Sequence, residues 1–293
     1  MRSEQEMSDL LLGFAQSDPR IRAVYMNGSR TNPNARKDIF QDFDIVYVVT
    51  DVSSFVEDKS WLTRFGEICV MQEPDATALP YETTKREDGY AYLMQFEDGN
   101  RIDLTIQSVD ATKTTYLSDS LTRPLMDKDG LLPPIPESND SDYHIRRPEA
   151  AEYASCCNEF WWVSPYIAKG LWRGELLFAL DHLEKCVRPM LQMMLTWEAG
   201  VRTGFTTSAG KCGKWLEALL PSDKWTRLLK TYPTADPAAI WSALFEAGSL
   251  FRDTAGFVGQ ELGFPYNLDE DSRTTAFLRD IRNLPRDAGA IRE

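Results

Sequence analysis

Apolar positions in the first half of the chain predict one helix followed by several strands. Residues 3 to 17 carry apolar side chains three and four positions apart, the spacing of an amphipathic helix. The runs "IRAVYMN", ending at Gly28, and "DFDIVYVVT" predict two strands, and "EICVMQEP" predicts a third. A hairpin should follow, because "GYAYLMQF" and "NRIDLTIQ" are both β-rich and are joined by the turn sequence "EDG".

The pattern changes near residue 140. Residues 131 to 144, "LLPPIPESNDSDYH", are rich in Pro, Ser and Asp and predict a linker. The rest of the chain shows helical periodicity, broken near Gly170 and ended near Gly200, with few strand signals. We therefore predict an α/β domain, residues 1–140, joined to an all-helical domain, residues 141–293.

Three carboxylates are predicted to lie on strands of the first domain. Asp42 and Asp44 are two residues apart at the start of an apolar strand, so their side chains project to the same side. On the second arm of the hairpin, Asp103 shares a face with Arg101 and Thr105. Neighbouring carboxylates repel one another, and a divalent cation such as magnesium, which prefers oxygen ligands, would offset that repulsion.

A Gly-Ser turn precedes the acidic pair by about a dozen residues. Gly28 lets backbone N–H groups approach a phosphate, and the Ser29 hydroxyl adds a donor. Arg30 can contact a phosphate through its planar guanidinium. A phosphate site at the turn and a metal site at the acids together predict a nucleoside triphosphate bound with magnesium.

The acidic charge of the chain is concentrated in its first half. Residues 1 to 140 contain 25 acids and 14 bases, whereas residues 141 to 293 contain 20 acids and 18 bases. Such a field repels nucleic acid and attracts cations, so we expect cationic small-molecule partners and no nucleic acid. The same acidity is equally compatible with a role in solubility alone.

Neither cysteine usage nor hydropathy suggests a secreted or membrane protein. Five cysteines without C-x-x-C spacing, together with two histidines, make a disulfide framework or a zinc site unexpected. No run of eighteen apolar residues occurs, and the amino terminus "MRSEQEMSDLL" is polar. A cytoplasmic protein without membrane partners is therefore expected.

Five stretches of the chain resemble one enzyme family. The stretches "AVYMNGSRTNP", "QDFDIVYVV", "FEDGNRIDLT", "LWRGELLFALDH" and "GKCGKWLE" are similar to those of the aminoglycoside 6-adenylyltransferases, or streptomycin adenylyltransferases, of the nucleotidyltransferase superfamily. The resemblance extends to about residue 285. It implies an α+β fold, with a polymerase β-like catalytic domain built on a mixed β-sheet with helices and followed by an all-helical domain. The activity it implies is transfer of AMP from ATP to the 6-hydroxyl of streptomycin with release of pyrophosphate, which gives antibiotic resistance. The three acids would then hold up to two Mg²⁺ ions, and the Gly-Ser-Arg turn would hold the β and γ phosphates.

The resemblance also implies roles for residues of the helical domain. Lys211 and Lys214, three residues apart on a predicted helix face, would clamp the triphosphate. Asp181 is the favoured base for the substrate hydroxyl and Glu175 a substrate contact, and the two roles can be exchanged. In the first domain, Glu82 would meet the guanidinium groups of the drug.

Two other functions are compatible with these residues. A nucleotidyltransferase could act on another acceptor, such as tRNA, a protein or a lincosamide, although the acidic first domain disfavours RNA. A noncatalytic nucleotide sensor is the alternative of a different class, yet such a protein would be expected to lose at least one of the three acids. We expect a monomer that binds ATP and a cationic aminoglycoside.

Overall fold

The protein is described by a computed structural model that covers residues 1–77 and 88–291, and it divides into two compact units. The described part of the first unit, Met1–Asp142, contains six strands and three α-helices. The strands are β1 Ile21–Asn27, β2 Phe43–Val49, β3 Ile68–Gln72, β4 Gly89–Phe96, β5 Arg101–Ser108 and β6 Arg123–Asp127. The helices are α1 Glu4–Ser17, α2 Ser53–Glu57 and α3 Val109–Thr115, with 3₁₀ turns at Ser60–Phe65, Pro74–Ala76 and Ser141–Tyr143.

The strands form one mixed sheet in the order β3-β4-β5-β2-β1-β6. Strands β2 and β5 are parallel, whereas the other neighbouring pairs are antiparallel. The predicted hairpin is present as β4 and β5. Because β2 and β5 are parallel neighbours at the centre of the sheet, their amino-terminal ends lie side by side at the same end of the strands.

Both faces of β2 are covered, which explains its nearly continuous apolar sequence. One face, with Phe43, Ile45 and Tyr47, packs in the core that includes α1, where the Tyr47 hydroxyl donates to the Leu11 carbonyl at 2.8 Å. The other face, with Val46 and Val48, packs in a smaller cluster. Acidic side chains at the entrance of this strand are therefore close to a dry core.

Helix α1 begins as the predicted periodicity indicates. Ser3 and Glu6 form a capping box, in which each side chain accepts a hydrogen bond from the other residue's backbone N–H. Residues 131 to 144, predicted as a linker, are irregular but partly packed: Leu131, Leu132 and Ile135 contact the smaller sheet cluster. The sequence analysis did not predict the short strand β6, which contains Pro124.

The second unit, Tyr143–Glu293, is helical in its described part, residues 143–291. Its α-helices are α4 Ala150–Arg173, α5 Leu176–His182, α6 Arg188–Thr203, α7 Leu216–Leu219, α8 Ser222–Lys230, α9 Pro237–Leu262 and α10 Leu268–Asn283. One π-helical turn, Leu183–Val187, separates α5 from α6, and a 3₁₀ turn spans Lys211–Gly213. The mixed sheet followed by an all-helical region confirms the predicted fold class.

Across residues 1–77 and 88–291, no helix is both long and apolar enough to cross a membrane.

Candidate active site

The three predicted carboxylates meet at the end of the sheet where β2 and β5 begin. In the parallel register Asp44 pairs with Asp103, so the two side chains lie on adjacent strands and on the same face. Asp42 lies two residues before Asp44, just ahead of β2. The two strand segments are far apart in sequence, and it is their parallel pairing that brings Asp103 to the acidic pair.

Burial makes this carboxylate cluster electrostatically unfavourable. It raises the pKa of Asp44 to about 6, and the neighbouring Asp103 and Asp42 carboxylates add to the effect. Burial likewise raises the pKa of Asp42, with Asp103 contributing, while Arg101 and Arg30 act against that shift. A positive charge placed among these acids would therefore relieve the repulsion.

Arg101 provides such a charge in this structure. Its Nε lies 2.8 Å from Asp103 Oδ1 and its Nη2 lies 2.9 Å from Asp103 Oδ2, a bidentate ion pair. The same Nε is 3.6 Å from Asp42 Oδ2. The alternation along β5 predicts that Arg101 and Asp103 share a face of the strand, and this pattern is the sequence signal for their contact. The pattern alone gives Arg101 no role in the site.

The donor set suits magnesium, but the carboxylates are not gathered around a single point. Three carboxylates on one sheet edge are the oxygen ligands that this ion prefers. In the described part of the chain, however, no three Asp, Glu, His or Cys side chains are arranged to hold a metal ion. Both oxygens of Asp103 instead accept hydrogen bonds from Arg101.

The Gly28 turn lies directly against the cluster. Asn27, the last residue of β1, pairs with Asp44 of β2, so the residue that follows β1 passes close to the Asp44 side chain. Gly28 has φ +74°, and a Cβ atom there would lie 2.1 Å from Asp44 Oδ2. Glycine is therefore required at this position both by backbone conformation and by the space that Asp44 occupies.

Arg30 is engaged with the backbone that leads into β2. Its Nε donates to the Asp42 carbonyl at 3.0 Å and its Nη2 donates to the Gln41 carbonyl at 2.7 Å. The guanidinium carbon lies 3.7 Å from the centre of the Phe43 ring, and Glu4 is 3.5 Å from Nη1. In this structure Arg30 fixes the segment that carries Asp42, and its predicted contact with a phosphate stays a prediction. Ser29 lies beside it, and its carbonyl accepts from Gln41 Nε2 at 3.3 Å.

We expect Arg30→Lys to destabilise the protein by about 1 to 2 kcal/mol in the absence of any nucleotide. An ammonium cannot replace two divergent hydrogen bonds and the stacked contact, and two partly buried carbonyl groups would lose a charged donor. Urea unfolding without nucleotide measures this loss. An unchanged free energy of unfolding together with a raised KM for ATP would instead indicate that Arg30 acts only on phosphate.

In the helical unit, the two candidate acids are exposed and paired with bases. Asp181, near the end of α5, has a 52% exposed side chain and forms an ion pair of 2.5 Å with Lys185 one turn later. Glu175, at the amino-terminal cap of α5, lies 3.9 Å from Arg173. Exposure and pairing are enough to explain an acid in this apolar helix, so its use as a base stays a prediction.

Lys211 and Lys214 lie on a tight turn, and the prediction that they share a helix face is wrong. Lys211–Gly213 is a single 3₁₀ turn in which Cys212 has φ +57°, and α7 begins only at Leu216. Both lysines are exposed, and Lys214 Nζ lies 5.1 Å from the centre of the Trp215 ring. Helical periodicity could not reveal this turn because the Gly residues around it permit left-handed conformations. Glu82, the predicted drug contact of the first unit, lies outside the described residues.

The mixed sheet, with an acidic pair entering one central strand and a third acid on its parallel neighbour, defines a nucleotidyltransferase. The sequence matches the model of the streptomycin adenylyltransferase family over residues 1–281. The chain belongs to this family.

Similar proteins cover nearly the whole chain. It is 42% identical over 283 residues to an aminoglycoside 6-adenylyltransferase of Bacillus subtilis (strain 168), covering 96% of this chain and 98% of that protein. An aminoglycoside 6-adenylyltransferase of Campylobacter jejuni is 40% identical over 281 residues, covering 95% and 96%. A crystal structure of an aminoglycoside 6-adenyltransferase from Bacillus subtilis is 37% identical and covers 97% of this chain and all of its own, with a TM-score of 0.48.

Proposed function

We propose that the protein transfers AMP from ATP to the 6-hydroxyl of streptomycin and thereby gives resistance to this antibiotic. The observation that carries the proposal is the placement of Asp44 and Asp103 on paired parallel strands, with Asp42 beside them, in a chain of this family. The names of its relatives support an aminoglycoside acceptor and transfer to a 6-hydroxyl.

The reaction follows from an in-line displacement at phosphorus. The hydroxyl oxygen of the acceptor attacks the α-phosphorus of ATP, and the bond from that phosphorus to the bridging oxygen of the β-phosphate breaks. Pyrophosphate leaves with the bonding electrons, and the hydroxyl proton passes to a carboxylate base. Magnesium ions, two in this proposal, would neutralise negative charge on the attacking and leaving oxygens when bound. Asp42, Asp44 and Asp103 would hold them.

The remaining predicted residues would bind the substrates. The turn at Gly28, Ser29 and Arg30 is proposed for the β and γ phosphates, and the exposed Lys211 and Lys214 for the departing pyrophosphate. Glu175 and Glu82 are proposed contacts of the cationic drug, whose guanidinium groups match carboxylates. Since ATP and the ribosomal target of the drug are intracellular, we propose that the enzyme acts in the cytoplasm, as a monomer and without nucleic acid as a partner.

Pyrophosphate release tests the proposal. The protein would be assayed with ATP and Mg²⁺ in three parallel reactions, containing streptomycin, kanamycin or no acceptor. Release that needs streptomycin is expected, and NMR of the product should place the phosphodiester on the 6-oxygen. Release with kanamycin alone would change the acceptor and retain the reaction. Tight ATP binding without release for any acceptor would contradict enzymatic function and favour the sensor.

We expect Asp181→Asn to lower kcat by about a hundredfold or more, because a general base contributes roughly that much, while the Kd for ATP stays unchanged. Rates of pyrophosphate release and equilibrium ATP binding measure the two effects. Asp269→Asn is the matched control, since Asp269 also forms an exposed ion pair one helical turn away, with Arg273. If Asp181→Asn retains activity within a few-fold and Glu175→Gln does not, Glu175 is the base.

A further inference from the structure

The position of Arg101 suggests a role beyond that of an ordinary surface ion pair. Its guanidinium occupies both oxygens of Asp103 and approaches Asp42, two of the three carboxylates proposed to hold magnesium. The bidentate guanidinium takes up one lone pair on each oxygen of Asp103, and its positive charge repels a divalent ion at the same carboxylate. Arg101 in this position therefore opposes the binding of a metal ion to Asp103.

Arg30, the other arginine that acts on these acids, is not free to replace Arg101. Its Nε and Nη2 donate to backbone carbonyls, its guanidinium is stacked on Phe43, and its side chain is only 10% exposed. The Arg101 side chain, by contrast, is 41% exposed and lies at the open edge of the cluster. It can leave Asp103 for solvent without breaking any packed core.

The energetics allow an exchange. Asp103 and Asp42 are partly exposed, 22% and 37%, so solvent screens the attraction between these carboxylates and Arg101. A divalent cation carries twice the charge of a guanidinium and can be shared by several carboxylates. The ion pair with Arg101 therefore offsets repulsion among the carboxylates in the metal-free protein, and a divalent ion can displace the guanidinium.

We propose that Arg101 is a positioning residue that serves as the resident counter-cation of the carboxylate cluster, and that a divalent ion binds by displacing its guanidinium from Asp103. The proposal rests on the metal site of the proposed function. It assigns to Arg101 a control over metal affinity: the fraction of molecules in which Asp103 is released from Arg101 sets the apparent Kd of the ion.

The test is a Mn²⁺ titration followed by electron paramagnetic resonance, with the protein alone and with a nonhydrolysable ATP analogue. We expect Arg101→Gln to bind Mn²⁺ about fivefold more tightly than the unaltered protein, which corresponds to about 1 kcal/mol. Arg101→Lys, which keeps the charge and loses the bidentate contact, should lie between the two. In thermal unfolding without metal, Arg101→Gln should be less stable, and Mn²⁺ should raise its Tm by more.

Arg22→Gln is the matched control, because Arg22 also forms a bidentate pair, with Asp129, and lies near the start of β1, whose opposite end pairs with Asp44. It should leave Mn²⁺ affinity unchanged. If Arg101→Gln binds Mn²⁺ no more tightly than the unaltered protein while Asp103→Asn abolishes binding, the proposed exchange is wrong and the proposed metal site stands. Equal binding by the unaltered protein and Asp103→Asn would overturn both.

Discussion

Asp44→Asn is expected to lower the rate of adenylyl transfer by about a thousandfold or more while the protein remains folded. The amide keeps the shape of the side chain but removes a metal-binding charge, and the lost stabilisation of transition-state charge is several kcal/mol. Pyrophosphate release with ATP, Mg²⁺ and streptomycin measures the change. Asp110→Asn, in an exposed carboxylate of α3 paired with Lys113, should retain full activity. A loss smaller than about tenfold for Asp44→Asn would contradict a metal-binding role for Asp44.

Asp44→Asn should also increase the stability of the metal-free protein. In the folded state the pKa of Asp44 is about 6, whereas an aspartate in an unfolded chain has a pKa of about 3.9. The folded state therefore holds a proton that the unfolded chain releases between these values, so stability falls as the pH rises from about 4 to 6. Above about pH 7 nearly the full cost, about 3 kcal/mol, is present.

Asparagine does not titrate and avoids this cost. In EDTA at pH 8, Asp44→Asn should thus have a free energy of unfolding about 3 kcal/mol higher than the unaltered protein, and the difference should shrink towards pH 4. Urea titrations at several pH values measure it. A difference that is absent at pH 8, or that grows as the pH falls, would show that Asp44 is not held in an unfavourable charged state.

Gly28→Ala is expected to lower turnover by about a hundredfold and to destabilise the protein by about 2 kcal/mol. The new Cβ would lie 2.1 Å from Asp44 Oδ2 and 2.8 Å from Asp44 Cγ, so the carboxylate or the backbone must move. A displacement of about 1 Å in a catalytic group can cost a hundredfold in rate, and a non-glycine residue at φ +74° adds strain of about 1 kcal/mol. Steady-state kinetics and urea unfolding measure the two effects.

Gly130→Ala separates the two causes. Gly130 has φ +70°, but a Cβ there would meet nothing within 4 Å, so this variant should show the conformational strain without any loss of turnover. Comparable kinetics for the two variants would mean that the contact between Gly28 and Asp44 has no part in catalysis.

Much of the first unit could be predicted because its strands can be recognised from short, local sequence patterns. The alternation along "NRIDLTIQ", the turn "EDG" and the apolar run after Asp44 are all features of a few consecutive residues, and β2, β4 and β5 follow from them. Strand β6 could not be recognised, since five residues that include a proline lack any such pattern. The turn at Lys211 was misjudged for the converse reason: its two lysines happened to have helical spacing.

The candidate site divides in the same way. The acids Asp42, Asp44 and Asp103 were predicted from residue type and spacing. Asp42 and Asp44 form a pair of like charges at the start of an apolar strand, which is easily recognised in a sequence, and Asp103 lies on a strand of the predicted hairpin. The hydrogen-bond partners of Arg30 and Arg101 could not be identified in this way, since each arginine has several donors and the sequence contains many acceptors within reach. Which of these each arginine uses depends on the packing of loops around β2.

By itself, the sequence determined the change from strands to helices near residue 140 and the family, and it predicted the carboxylates of the candidate site. Local periodicity and short motifs are enough for these features, because they depend on neighbouring residues. The tertiary structure decided that Asp44 and Asp103 are paired, that Gly28 touches Asp44, and that Arg101 binds Asp103. Those contacts require the parallel alignment of β2 and β5, and long-range strand pairing is selected by the packing of the whole sheet rather than by either segment alone.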